Sequence, residues 1–350
     1  MRIQLSSSWA GGHNLIDVTR LANAAALKDY PSYVLKQSKK WSELKNEEMR
    51  SSTTPNVQRI DVAFTGFPKS DAVLSMAKGV STPYDCAKHL SQLLRDRSVL
   101  ALVNGMPYDM HRPLTCECEL DFIHFKDIHH DPTPANLAFW RSSQVLLAAA
   151  LVSSFRKEYE LSVLDFPQTS LESGSFVVDV RLKAPPSAPQ IADWKPAPQD
   201  LRAISERAQR IANASLPFEV VETSASQTAT ILEDPQRMQV LAAEATAEAA
   251  SKSFSLYRLG DYVQVYPGPP LIASSGLIGR FSLTSMKCLG RLSPAFCGPA
   301  ENENQMVYRA QGIGMPTAFL THFTTFDILM RRARETNPEA PATPIYLASS

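Results

Sequence analysis

The chain has 350 residues, 44% of them hydrophobic and 20% charged, with 35 basic and 35 acidic side chains and a formal net charge of zero. That length leaves room for two or three domains with substantial cores. Balanced charge argues against a protein that coats nucleic acid, and no 18-residue apolar run offers itself as a membrane span.

Residues 1–40 depart from the average. They hold Arg2, Arg20, Lys28, Lys36, Lys39 and Lys40 against Asp17 and Asp29, with Ser6, Ser7 and Ser8 near the start and an Ala-rich stretch at Leu15–Leu27. These are features of a mitochondrial presequence, although Asp17 suits one poorly and an ordinary extension is the other reading. A helix is expected over Ser32–Met49, with Trp41 and Leu44 on one side. Ser51–Asn56 breaks it. Strands are expected at Val57–Phe64 and Ala72–Met76. In STPYDCAKHLSQLL, Ser81 or Thr82 can cap a helix, Pro83 suits its first turn, and Ala87, Leu90 and Leu94 mark an apolar face. Val99–Val103 reads as a strand, Asn104-Gly105 as a tight turn, and Pro107–Met110 and Cys116–Phe125 as further strands. The order β-β-α-β-β-β over about 70 residues suits a small α+β module with one helix crossing a mixed sheet.

Lys126–Pro134 reads as a linker. A long helix is expected over Ala135–Tyr159, then a strand at Phe176–Leu182 and a proline-rich connector at Ala184–Pro198. Further helices are expected at Asp200–Ala214, with Asp200 as cap, and at Gln227–Leu232 and Arg237–Ala250. Phe218–Glu222 reads as a strand. Leu256–Val265 and Leu277–Thr284 are expected to pair around the turn YPGPP. A closing helix is expected over Thr317–Arg334, with Leu320, Phe323, Ile328 and Leu329 on its apolar side, and a frayed tail over Asn337–Ser350.

CECELDFIHFKDIHH, residues 116–130, has the look of a metal site. Its alternation instead reads as a strand with Cys116, Cys118, Leu120 and Phe122 on one core-seeking face. At ~3.3 Å per residue, His124 stands roughly 20 Å from Cys118. Ligands must converge to ~2.0–2.3 Å from one ion, so this strand cannot supply a site alone. Five cysteines without paired spacing argue against a disulfide framework and for a reducing compartment.

Residues 79–127 resemble a TGS domain, the ubiquitin-like β-grasp module at the front of threonyl-tRNA synthetases. Thr82-Pro83 before the helix, Val103-Asn104-Gly105 and the Asp109…Arg112-Pro113-Leu114 turn carry the resemblance. AFWRSSQVLLAAAL resembles the helix that opens the synthetase editing domain, SLYRLGDYVQVYPGPPL a later strand-and-turn motif, and YRAQGIGMPTAFLTHF the helix that leaves it. The resemblance covers roughly residues 57–335 and stops before any aminoacylation core. It implies an α+β chain with an extension at 1–56, a TGS-like β-grasp domain at 57–128, an inactive editing-like α+β domain at 135–335 and a tail at 336–350.

The family's editing chemistry uses His-x-x-x-His on the first helix, and a cysteine and a histidine around Gly-Pro. The matching positions here are Arg141 and Val145, and Tyr266 and Pro270 flanking Gly268-Pro269. Arginine stays protonated and cannot act as a general base. Valine and proline have nothing to ionise. The whole pattern resembles the threonyl-tRNA-synthetase-like proteins of the mitochondrial large ribosomal subunit. That implies a non-catalytic structural constituent with no cofactor, metal or small-molecule substrate, whose partners are other large-subunit proteins and local rRNA. Candidate contacts are Lys36, Lys39 and Lys40 on the first helix and Arg331, Arg332 and Arg334 near the end. Two alternatives stand beside it. One is a free-standing tRNA-editing or tRNA-binding factor, which would need His89, His111 or His322 to activate water. The other is a TGS-based adaptor outside the ribosome. Trp140 reads as a domain-packing anchor.

Overall fold

The computed structural model describes residues 15–22, 29–52, 58–67, 72–185, 191, 194–244, 253–296, 305–319 and 321–348. Most of the presequence-like stretch, much of the proline-rich connector and the end of the Arg237–Ala250 helix lie outside the described residues.

The chain enters through α1 (Val18–Ala22) and α2 (Ser32–Ser52). Next come β1 (Arg59–Phe64) and β2 (Val73–Ala77), which pair antiparallel. The expected helix is two helices, α3 (Pro83–Leu90) and α4 (Gln92–Arg97). Thr82 and Asp85 form a reciprocal capping box on α3, as Thr-Pro-x-Asp allows. Ser91 is extended and caps α4, which breaks the continuous helix. β3 (Leu100–Val103) and β4 (Met106–Tyr108) turn on Asn104 and Gly105, both at positive φ, as a two-residue hairpin loop requires. β5 (Cys118–Ile123) then inserts between β1 and β3, parallel to β1 and antiparallel to β3. The sheet order β2-β1-β5-β3-β4 is the β-grasp arrangement. Ile60, Val62, Phe64, Cys118, Leu120 and Phe122 line its core face. Cys116 lies before the strand and is exposed, so only Cys118 joins the core as expected of both.

α5 (Thr133–Val152) is buried along most of its length, which its all-round apolar sequence dictates. It ends seven residues before the expected Tyr159. The Ser153 and Ser154 hydroxyls bond back to the Ala149 and Ala150 carbonyls, and the chain turns into β6 (Glu160–Asp165), a strand the pattern did not reveal. β7 (Phe176–Lys183), α6 (Pro198–Asn213), β8 (Phe218–Thr223), α7 (Ala225–Leu232) and α8 (Pro235–Glu244) follow. Asp200 is not the cap of α6. It stands three residues in, and its carboxylate accepts the Ala197 N–H at 2.8 Å.

The stretch Leu256–Val265 is a hairpin of β9 (Phe254–Leu259) and β10 (Tyr262–Val265), turning at Gly260. The turn YPGPP therefore does not join it to the next strand. β11 (Ile278–Arg291) pairs instead with β12 (Gln305–Pro316), which occupies much of the stretch read as an exit helix. Two sheets result, β10-β9-β8 and β11-β12-β7-β6, with α5 and α6 packed in the shared core. Gly312 makes room there: a β carbon would stand 2.8 Å from the Phe176 ring.

α9 (Phe323–Arg332) is shorter than expected and turned differently. Phe326 seats in the core with Leu329 and Met330 packed beside it, which leaves Phe323 60% and Ile328 65% exposed. Leu320 lies outside the described residues. The tail is packed, not frayed. Tyr346 is buried and donates to Asp179, Leu347 bridges to Leu292, and the Asn337 amide donates to the Ser175 carbonyl at 2.6 Å.

Candidate functional site

The first turns of α5 carry Trp140, Arg141 and Gln144 to an open cleft of about 270 Å³, with Leu137, Gln168, Thr169 and Ser170 completing the lining. Arg141 Nη1 lies 3.4 Å from the Pro269 carbonyl. A β carbon on Gly268 would stand 3.4 Å from Arg141 Nε and 3.5 Å from Tyr266 Cε1. Arg141 and Tyr266 therefore both stand beside Gly268. Val145 does not join them at the surface; it is buried in the main core. Pro270 stands half-buried at the end of the turn.

The polar floor of this cleft is Gln144, which sequence reasoning missed. Its Nε2 donates to the carbonyls of Pro167 at 2.9 Å and Val177 at 2.8 Å, and its Oε1 accepts from the Tyr266 hydroxyl. Gln168 Nε2 donates to the same hydroxyl at 3.2 Å. A lone amide inside the apolar run of α5 was the available signal, because a buried amide must find partners. Burial pushes the Tyr266 phenol well above its ordinary range, so it stays protonated near neutral pH. The lining holds one fixed cation and neutral amides, hydroxyls and apolar groups. None of these can take a proton from water.

A second polar cluster joins the β-grasp sheet to the rest of the molecule. The turn after β4 places Asp109, 2% exposed, between the two. Its Oδ1 accepts from the Tyr257 hydroxyl at 2.8 Å and the Leu271 N–H at 2.9 Å. Its Oδ2 accepts from Arg112 Nε at 2.9 Å and Nη2 at 2.8 Å. Arg112 also meets Glu222 and donates to Ser255 Oγ at 3.1 Å, and Ser255 donates to Glu222 at 2.7 Å. Next to it His111 Nε2 bonds the Ala273 carbonyl at 2.9 Å, and burial holds the imidazole below its ordinary range. The Asp109…Arg112 motif that suggested the family is thus the clamp between the two parts.

The other candidates are spread out. Lys36 and Lys40 both pair with Glu233, at 2.9 and 2.6 Å, and Lys39 lies 4.0 Å from Glu43. The two Glu233 pairs dock α2 on the end of α7, and Trp41, fully buried with its Nε1 3.3 Å from the Leu256 carbonyl, docks it on the β8–β10 sheet. Arg331, Arg332 and Arg334 are all exposed, and Arg332 Nη2 donates to the Glu172 carbonyl at 3.0 Å. His89 is exposed on α3 and His322 caps α9. In the 116–130 stretch, His130 lies 2.9 Å from Asp121, and His124 and His130 lie 3.9 and 3.5 Å from Asp127. Among the described residues no group of three or more His, Cys, Asp or Glu side chains is placed to hold a metal ion, and no helix is long and apolar enough to cross a membrane.

Residues 51–124 match the TGS domain family. The chain is 31% identical over 302 residues to the large ribosomal subunit protein mL39 of Drosophila melanogaster, a match that covers 85% of this chain and 84% of that protein. It is 29% identical over 276 residues to the mitochondrial threonine–tRNA ligase of Rattus norvegicus, and 26% identical over 287 residues to a probable cytoplasmic threonine–tRNA ligase of Dictyostelium discoideum. Those matches cover 78% and 82% of this chain but only 33% and 35% of the ligases, so the chain spans about a third of their length. A β-grasp module locked by Asp109 to a second α+β unit, matched over nearly its whole length by one ribosomal protein, places the chain among known proteins: it belongs to the mL39 family of large ribosomal subunit proteins.

Proposed function

We propose that this chain is a structural constituent of the mitochondrial large ribosomal subunit, a non-catalytic relative of the N-terminal part of threonyl-tRNA synthetases. The carrying observation is the near end-to-end match to mL39, set beside ligase matches that cover only a third of each ligase. The cleft supports it. Arg141 and Tyr266 occupy positions that the synthetase motifs give to editing residues, and the Tyr266 hydroxyl is bonded to Gln144. The division into an extension to residue 56, a TGS-like domain at 57–128, an editing-like domain at 135–335 and a tail from 336 is part of the same reading, as is residence in the mitochondrial matrix.

In this reading the partners are other proteins of the large subunit, with rRNA contacts local and few. Lys36, Lys39 and Lys40 already meet acidic groups of their own chain, so Arg331 and Arg334 are the better candidates for outside contacts. Sedimentation of mitochondrial extract through a low-salt gradient tests the reading. Comigration of the protein with large-subunit rRNA is expected. A predominantly free pool that deacylates mischarged threonine tRNA would replace it with an editing function.

A further inference from the structure

The presequence-like stretch divides at Leu15. Residues 1–14 contain Arg2, Ser6, Ser7 and Ser8 and no acid. The first acid of the chain is Asp17, which suits a presequence poorly, and the fold gives it another task. Its Oδ1 accepts the Arg20 N–H at 2.9 Å and its carbonyl accepts the Leu21 N–H at 3.0 Å, so Asp17 caps α1. Leu15, Ile16 and Leu21 are 1%, 0% and 4% exposed and belong to the main core. Ile16 bridges to Phe155, and the Leu15 carbonyl accepts the Arg156 N–H at 3.0 Å.

This segment holds the end of α5, the helix at the centre of the second unit. Ser153, Ser154 and Phe155 follow that helix and are buried. The Ser153 and Phe155 carbonyls both accept from Arg20 Nη2, each at 2.8 Å, and the Ser154 carbonyl accepts the Asp17 N–H at 3.4 Å. A cation is favoured at the carboxyl end of a helix, and this one is tied in turn to Asp29 at 3.2 Å. Arg210 of α6 reaches the Leu21 carbonyl from the other side. A chain that began after α1 would lack all of these donors. Three buried carbonyls would lose them, and the places of Leu15, Ile16 and Leu21 in the core would stand empty.

We infer that the mature protein keeps every residue from Leu15 onward, so that any cut made in processing falls no later than the bond between Asn14 and Leu15. The cut is the hydrolysis of one peptide bond, with water supplying the hydroxyl of the new carboxyl end and the proton of the new amino end. The inference rests on the mitochondrial reading and marks within it where a leader stops and the folded protein starts. Arg20, a presequence-like cation in the sequence, is on this account a permanent part of the core's edge.

The test labels protein N-termini in total mitochondrial protein and in purified large subunits, and reads those of this chain by mass spectrometry. A first residue at position 15 or earlier is expected. A first residue at position 16 or later, and above all one within 23–28, would overturn the inference and leave the ribosomal reading standing. A second measurement asks whether the segment is needed. In the purified full chain, Ile16→Asp is expected to lower the melting temperature by about 5 °C or more. An unchanged melting curve would overturn the inference. Absence of the chain from large subunits would overturn the ribosomal reading, and the terminus found in total mitochondrial protein would still decide this one. Absence from mitochondria would overturn both.

Discussion

The cleft at Arg141 and the seam at Asp109 both bury polar groups, and they use them differently. At the seam one carboxylate takes two hydrogen bonds from neighbouring Arg112 and one each from distant Tyr257 and Leu271, so a buried charge ties the β-grasp sheet to the segments behind it. At the cleft a phenol and an amide bond to each other and to nearby carbonyls, and the remaining charge, Arg141, faces the opening. The seam joins parts far apart in sequence through that one charge. The cleft is lined by amides, hydroxyls, an indole and one guanidinium. Buried polar groups thus fix orientation in the first place and hold a shape in the second.

The contrast is sharpest at Asp109. Asp109→Ala takes from Arg112 its bidentate partner, leaving it Glu222 and Ser255, and strands the Tyr257 hydroxyl and Leu271 N–H. A loss of about 3–5 kcal/mol in urea unfolding is expected, the range for breaking a buried pair from one side. A loss near zero would mean that the seam does not fix the domains. At the cleft, Tyr266→Phe removes one hydroxyl and leaves Gln144 Oε1 without its donor. A smaller loss of about 1–3 kcal/mol is expected by the same measurement. If the two variants proved equal, the cleft would be as structural as the seam.

The subtlest difference is in pH. Burial lowers the His111 pKa, with Glu219, Asp85 and Asp109 and the Ala273 carbonyl opposing the shift. The folded chain thus takes up this proton less readily than the unfolded chain. The stabilising contribution is fully present above the unfolded value of ~6.5 and is lost as pH falls from there through the lower folded value. His111→Asn is expected to flatten the decline of stability between pH 7 and pH 5. An unchanged slope would assign that decline to other groups, such as His124, whose pKa burial also lowers.

The β-grasp half was legible because each of its signals was local. Alternation in Cys118, Leu120 and Phe122, the Thr82-Pro83 start and the Asn104-Gly105 turn each act within a few residues. The second half showed β7, β8, β9–β10 and the start of β11 but hid β6 and β12, the latter for a physical reason. β12 is buried on both faces yet carries Gln305, Arg309 and Gln311, whose partners lie far away in sequence, so neither alternation nor an unbroken apolar run marks it. Arg309 meets Asp179, and Gln311 meets Ser175 and the Ala333 and Glu335 carbonyls. The same holds for Tyr346, a lone aromatic in a proline-rich stretch whose burial depends on Asp179. The cleft was located through its motif positions, but Gln144, its floor, belonged to no motif.

The docking of α2 has a consequence in time. Trp41 meets the Leu256 carbonyl 215 residues later, and Arg258 reaches back to Ser42 across 216. At a synthesis rate of about 5–20 residues per second, the helix waits roughly 10–40 s for its seat to be made. Throughout that interval the Trp41 stripe is an unburied apolar surface, and so a binding site for whatever chaperone meets the emerging chain. Folding then includes the closing of the earliest segment over a sheet that did not exist when the segment was made.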